Sequence, residues 1–202
     1  MPSPRHADIQ GQRRLFDQFF KIDEVIVRHE RFDGTMSPAE RKLVFERGDA
    51  AAILLFNTDR QVVILAEQFR APVLIGRRRK EPGTSDGWTT EAIAGMIDPG
   101  ETPEAAIIRE AMEEVGYVIR APQLISTYFC SPGGSSERVF LYFAEVRDAD
   151  RAGKGGGVDV DEDIKVIELP LPELFSRLAA AAFDDPKLII AAFWLQARLR
   201  RG

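Results

Sequence analysis

Gly95-Met96-Ile97-Asp98-Pro99-Gly100-Glu101, resumed at Arg109-Glu110-Ala111-Met112-Glu113-Glu114-Val115-Gly116-Tyr117, is the stretch on which the reading of this chain turns. Between its halves the composition predicts a helix from about Thr102 to Val115. Thr102 suits the N-cap, Pro103 the first helical position and Gly116 the stop. Glu110 and Glu114 are four apart and Glu113 is three from Glu110, so the carboxylates share a face. Ala105, Ile108, Ala111, Met112 and Val115 are expected to hold the other side in the core. Like charges at this spacing repel by roughly a few tenths of a kcal/mol per exposed pair. A solvated acidic face is the ordinary explanation of such a run. Three details count against it: the glutamates sit near the helix C-terminus, where the macrodipole disfavours them; Arg109 is the helix's only basic residue; and a glycine-rich loop leads straight in. A bound cation would relieve all the repulsion together.

Outward from the helix, Trp88–Ala94 reads as one short strand entering Gly95. Ala50–Phe56 and Gln61–Gln68 read as buried strands around the turn Asn57-Thr58-Asp59-Arg60, and Arg77–Gly87 as a mobile loop. Downstream, Gln123–Phe129 and Arg138–Val146 flank the turn Ser131-Pro132-Gly133-Gly134. Asp148–Asp163 is a loop rich in glycine and acid, containing Gly155-Gly156-Gly157. Ile164–Leu169 is a strand, and helices near Pro172–Ala182 and Pro186–Arg200 close the chain. At the other end, residues 1–13 read as a frayed tail. Lys21–Val27 and Arg41–Glu46 form a hairpin region around the Asp33-Gly34 turn. The expected architecture is α/β (α+β): a mixed sheet between helical layers over residues 49–202, with an N-terminal region at 1–48 lying somewhat apart.

Composition narrows the function. With 45% hydrophobic and 29% charged residues, the chain is globular in type. A net charge of -5 argues against a general nucleic-acid binder, but not against a phosphorylated substrate held through a metal. The longest apolar runs, Ala50–Phe56 and Leu188–Leu195, are too short to cross a bilayer. Met1–Gln12 lacks the apolar core of a signal peptide, so a cytoplasmic location is expected. The single cysteine, Cys130, excludes an internal disulfide. Since both histidines, His6 and His29, lie in the N-terminal region, Cys130 is expected to be a buried thiol rather than a nucleophile.

The stretch from Gly95 to Tyr117 resembles the Nudix box at every defined position: Gly, five residues, Glu, seven residues, then Arg-Glu-apolar-x-Glu-Glu-x-Gly-apolar. The resemblance implies the Nudix α/β/α sandwich and a hydrolase of pyrophosphate bonds dependent on Mg²⁺ or Mn²⁺. It implies Glu110 and Glu114 as the main metal ligands, with Glu113 assisting and the Ala94 carbonyl completing the site. Arg109 would orient a glutamate of the box, Glu101; a helix-stabilising ion pair is the plainer role for these two. A loop carboxylate would act as general base, Glu162 first and Asp161 second, against the alternative of a solvated acidic loop.

Substrate is a matter of the surrounding loops. Ser131-Pro132-Gly133-Gly134-Ser135-Ser136-Glu137-Arg138 is similar to a signature of ADP-ribose and nucleoside diphosphate sugar pyrophosphatases. Phe45-Glu46-Arg47-Gly48 and Glu67-Gln68-Phe69-Arg70 look like the same subfamily. By this resemblance Arg70 contacts substrate phosphate, its plainer role being an ion pair with Glu67 or Glu46. Pro132 lies by the substrate, its ordinary role being a plain turn, and Glu137 touches metal or the terminal ribose. Phe20 (or Phe19) stacks on the base, core or dimer packing being the plainer role. Ala92-Ile93-Ala94-Gly95-Met96 points to ADP-ribose as first substrate; Gly155-Gly156-Gly157-Val158 and Ile167-Glu168-Leu169-Pro170 point to GDP-mannose as the alternative. A non-catalytic nucleotide sensor is a remote third reading, since no glutamate of the box is missing. The resemblance further implies a homodimer in which residues 14–48 of one chain complete the site of the other.

Overall fold

The computed structural model describes residues 5–83, 86–158 and 162–200. The chain divides into two compact units: residues 1–49 with Tyr128–Arg138, and Ala50–Thr127 with Val139–Gly202.

The first unit carries three antiparallel strands in the order β1 (Ala7–Asp17), β2 (Lys21–His29) and β3 (Glu40–Glu46). The expected tail is therefore mostly strand β1. Its residues show no clean apolar alternation, and what holds it is the partner strand: Arg13 lies opposite Glu24 and Arg14 opposite Asp23, with ion pairs at both positions. Glu24 is also gripped by Arg41 of β3. Cross-strand charge pairing of this kind becomes visible only once the register is known. At the end of β3, Phe45 accepts the Ser136 amide (3.1 Å) and donates to the Gly134 carbonyl (2.8 Å). The Ser131–Gly134 turn closes through Gly134 N–H to the Ser131 carbonyl at 3.0 Å. Cys130, expected to be buried, is exposed, because it sits on this hairpin tip rather than in a core.

The second unit is built on β4 (Ala50–Asn57) and β5 (Val62–Phe69), followed by α1 (Ala71–Lys80), β6 (Trp88–Glu91), β7 (Ile93–Met96) and α2 (Pro103–Val115). Then come β8 (Gln123–Phe129), β9 (Arg138–Val146), β10 (Lys165–Pro170), α3 (Leu171–Ala179) and α4 (Pro186–Leu199). The sheet order is β10-β5-β4-β9-β8, with β6 on β5 and β7 on β4. β4 and β9 are parallel and the other described pairings antiparallel, giving the mixed sheet. Alternation along β4 sends Ala51, Ile53 and Leu55 toward Ala106, Ile107, Ala111 and Val115 of α2. The intervening residues face the other layer, where α4 packs on β4 and α3 on β5 and β10. The result is an α/β/α sandwich. No described helix is long and apolar enough to cross a membrane.

Two corrections arise here. Part of the stretch read as the loop Arg77–Gly87 is helix α1, which buries none of its residues and so shows no apolar period. Pro72 in its first turn and four basic residues, Arg77 to Lys80, in its last turn favour it instead. The single strand expected over Trp88–Ala94 is two strands broken at Ala92, whose amide leaves the ladder to donate to Asp185.

Candidate active site

Helix α2 ends as its caps dictate. Thr102 accepts the Ala105 amide at 3.1 Å, and Gly116, at φ 75°, takes the left-handed turn that stops the helix. What differs from expectation is part of the buried side. Ala105 is exposed, Ile108 half-buried and Met112 40% exposed, whereas Ala106, Ile107, Ala111 and Val115 are buried. Glu110 (8% exposed) and Glu114 (4%) share that buried side, while Glu113 is half-buried. Apolar periodicity places Ala111 and Val115 correctly but misses Ala105 and Met112, because two carboxylates occupy positions a core would normally give to hydrophobes. Buried carboxylates need a compensating partner.

The surroundings supply part of it. Arg109 donates to Glu101 (3.2 and 3.1 Å), Glu110 (2.7 Å), Glu113 (3.0 Å) and the Met96 carbonyl (3.2 Å). Its hydrogen bond to Glu101 is the largest cause of a raised guanidinium pKa, and the same bond lowers that of Glu101. Among the described residues, Glu114 has no such cation in hydrogen-bond reach. There its Oε2 accepts the Ala94 amide alone, at 3.3 Å. Burial first, then the charge of Glu110, push the Glu114 carboxyl up to about 8, against the pull of the Ala94 amide and Arg70. Burial also raises Glu110, against the lowering hydrogen bond from Arg109. β7 runs beside this cluster so closely that a Cβ on Gly95 would lie 1.8 Å from Glu110 Oε1. Only glycine leaves that space to the carboxylate.

The acid loop is docked on the same helix end. Gly156 and Gly157 donate their amides to the carbonyls of Glu114 (2.8 Å) and Glu113 (3.1 Å), which α2 leaves without internal partners. Gly155, at φ 70°, lies so near that a Cβ would sit 2.4 Å from the Glu114 carbonyl oxygen. Glu162 accepts the Val158 amide at 2.8 Å, and its charge helps raise both Glu110 and Glu114. The triple glycine is thus a latch joining the Glu162 loop to the carboxylate helix, a function its spacing in the sequence did not disclose. Asp161, the second base candidate, lies outside the described residues.

Arg70, at the end of β5, takes neither of its expected partners. Its Nε and Nη2 donate to Glu91 at 2.9 and 3.0 Å, while Glu67 pairs with Lys165 and Glu46 accepts the Gly48 amide. The chemistry of the donor set fits a hard divalent cation: Glu110, Glu113 and Glu114 carboxylates with the Ala94 carbonyl are all oxygen. Among the described residues, no three His, Cys, Asp or Glu side chains stand converged in ligating positions, since Arg109 holds Glu110 and Glu113.

The remaining candidates belong to the first unit. Phe20 is edge-on to Phe19 (4.8 Å) and tilted against Phe45 (5.1 Å), with Arg47 5.7 Å from its ring centre. Glu137 pairs with Arg47 at 3.7 Å. Pro132 lines a shallow cavity with Val25, Leu43, Gly133 and Ser135.

The NUDIX domain model matches residues 46–191. A protein of Cronobacter sakazakii named GDP-mannose pyrophosphatase is 36% identical over 193 residues, 96% of each chain. A Klebsiella pneumoniae protein of the same name is 37% identical over 182 residues, 90% of this chain and 87% of its own. A crystal structure titled "ADP compounds hydrolase" shares the fold at TM-score 0.65, with 18% identity and 98% of both chains covered. With the domain model spanning most of its length and such relatives matching it nearly end to end, this chain belongs to the Nudix family.

Proposed function

We propose that the chain hydrolyses the pyrophosphate bond of a nucleoside diphosphate sugar, releasing a nucleoside monophosphate and a sugar phosphate. The observation that carries this reading is the pair of buried carboxylates, Glu110 and Glu114, with the Glu162 loop latched to the end of the same helix. Glu110, Glu113, Glu114 and the Ala94 carbonyl would hold Mg²⁺, or Mn²⁺ in its place. When bound there, such a cation would supply the charge that neutralises phosphate oxygens and polarises the attacking water. Glu162 accepts the proton of that water as its oxygen bonds to phosphorus and the bridging P–O bond breaks. Arg109 holds Glu101, Glu110 and Glu113 in place. Arg70, whose Nη1 makes no hydrogen bond among the described residues, binds a phosphate oxygen.

ADP-ribose, giving AMP and ribose 5-phosphate, is the substrate suggested by Ala92–Met96. GDP-mannose is the second reading, favoured by the shared name of the relatives. Incubation with ADP-ribose, GDP-mannose, ADP-glucose, UDP-glucose, NADH and dinucleoside polyphosphates in Mg²⁺ decides between them. One of the first two is expected to lead in kcat/KM by about tenfold over the dinucleoside polyphosphates, a difference of about 1.4 kcal/mol. Tight binding of a nucleotide sugar with no monophosphate formed would instead establish a sensor.

The reading extends to a homodimer in which residues 14–48 of one chain bring Phe20 to the substrate of the other, with Pro132 and Glu137 also lying by substrate. Supporting it, Ile9, Leu15, Phe16, Phe19 and Leu43 of the first unit are exposed apolar residues. Sedimentation equilibrium is expected to give twice the chain mass; a monomer at assay concentration rejects this part. A cytoplasmic location belongs to the same proposal, and cell fractionation tests it.

A further inference from the structure

The charges behind Arg70 form a chain that the reaction does not itself use. Glu91, the last residue of β6, takes Arg70 in a two-pronged hydrogen bond. Behind Glu91 stands Lys187 of α4, its Nζ 3.6 Å from Glu91 Oε2 and 2.7 Å from Asp185 Oδ1. Asp185 caps α4, accepting the amides of Lys187 (3.2 Å) and Leu188 (3.2 Å). Its Oδ2 also accepts the amide of Ala92, at 2.9 Å, where β6 breaks from β7. Two residues beyond that break is Ala94, whose amide reaches Glu114. Glu91 and Asp185 are buried and Lys187 largely so. The four charges cancel, which a buried set requires if it is to stay ionised. Burial opposes each of the charges on Glu91 and Lys187. Even so, Arg70 and Lys187 hold the Glu91 carboxyl below its ordinary pKa, and Asp185 and Glu91 hold Lys187 above its own.

We infer that Lys187, with Asp185, is a positioning device for the substrate arm: it locks Glu91, and through Glu91 fixes the guanidinium of Arg70 toward the diphosphate, while Asp185 pins the corner that sets Ala94. This rests on the phosphate-binding reading of Arg70 above. An ion pair serving stability alone would need no connection to the β6–β7 corner. Here one carboxylate caps a helix, holds the lysine and anchors the strand break. Without Lys187, two buried carboxylates face each other across the lost cation. Glu91 then draws on Arg70 alone, and the local charge becomes net negative where a diphosphate has to approach.

Replacing Lys187 by Met, of similar length and no charge, tests it. KM for the better of ADP-ribose and GDP-mannose is expected to rise about tenfold while kcat changes by less than about threefold, because positioning acts on binding of the diphosphate. Lys187→Arg is expected to restore most of the loss. Lys165→Met, which removes the exposed pair with Glu67, is the control expected to leave KM unchanged. A second readout needs no turnover: the Arg70 Nε–H signal in nitrogen-15 spectra, assigned by its disappearance in Arg70→Lys. It is expected to be sharp and slowly exchanging in the unaltered protein and broadened in Lys187→Met. An equally protected signal in Lys187→Met overturns the positioning role, whether or not either nucleotide sugar is cleaved. Absence of cleavage by the unaltered protein overturns the functional reading alone. An unchanged KM beside a lowered Tm reduces Lys187 to a structural ion pair.

Discussion

Glu114→Gln is expected to lower kcat by roughly a thousandfold or more, about 4 kcal/mol of transition-state stabilisation, with the fold intact. The amide keeps the shape of the side chain and can still accept the Ala94 amide, so the core around α2 need not rearrange. What it removes is the negative charge, which is costly to bury and has no role in packing. The same residue predicts a pH signature in protein stripped of divalent ions. Burial and Glu110 raise the folded pKa from an ordinary 4.5 to about 8. Between those values the folded protein holds a proton that the unfolded chain has lost. Stability therefore falls as pH rises through that window and the loss is complete above it, at a few kcal/mol at most. In EDTA, the Tm of the unaltered protein is expected to drop between about pH 5 and 8, and that of Glu114→Gln to drop less. Full activity in Glu114→Gln, or identical pH–Tm curves, would falsify the assignment of this carboxylate.

Removing Arg109 is the second large perturbation. The guanidinium joins three carboxylates and a backbone carbonyl, so Arg109→Leu leaves Glu101, Glu110 and Glu113 without their shared cation. The side chain is one-third exposed, and solvent screens part of the effect. A stability loss of about 2 kcal/mol in EDTA is expected from the lost charge-assisted hydrogen bonds, together with a drop in kcat of about 10- to 100-fold because the carboxylates lose the group that orients them. The two effects should respond differently to metal. Added Mg²⁺ or Mn²⁺ is expected to raise the Tm of Arg109→Leu by more than that of the unaltered protein, since a cation then meets carboxylates that have lost their arginine. Turnover at saturating metal should stay low, because the cation does not orient Glu101. Calorimetric scans with and without metal, beside kcat, check both. Equal metal-induced shifts would show that Arg109 and the cation act on different groups.

The box from Gly95 to Tyr117 is legible in the sequence because its signals are local. Caps at Thr102 and Gly116, the one-turn spacing of Glu110 and Glu114, and the alternation of β4 are set by neighbours in the chain. Apolar period fails, however, where it is not the organising force. It misplaces Ala105 and Met112 of α2 because Glu110 and Glu114 are buried, misses α1 because that helix buries nothing, and misses β1 because ion pairs to β2 hold it. Partners far along the chain were out of reach altogether. Arg70 belongs to Glu91, Ala92 to Asp185, and the Gly155–Gly157 tract to the carbonyls of Glu113 and Glu114. Residue types and spacing thus decide which groups are candidates for the chemistry. Long-range packing decided which of them are buried and which charge answers which, because desolvation and Coulomb energies depend on neighbours in space rather than on order along the chain.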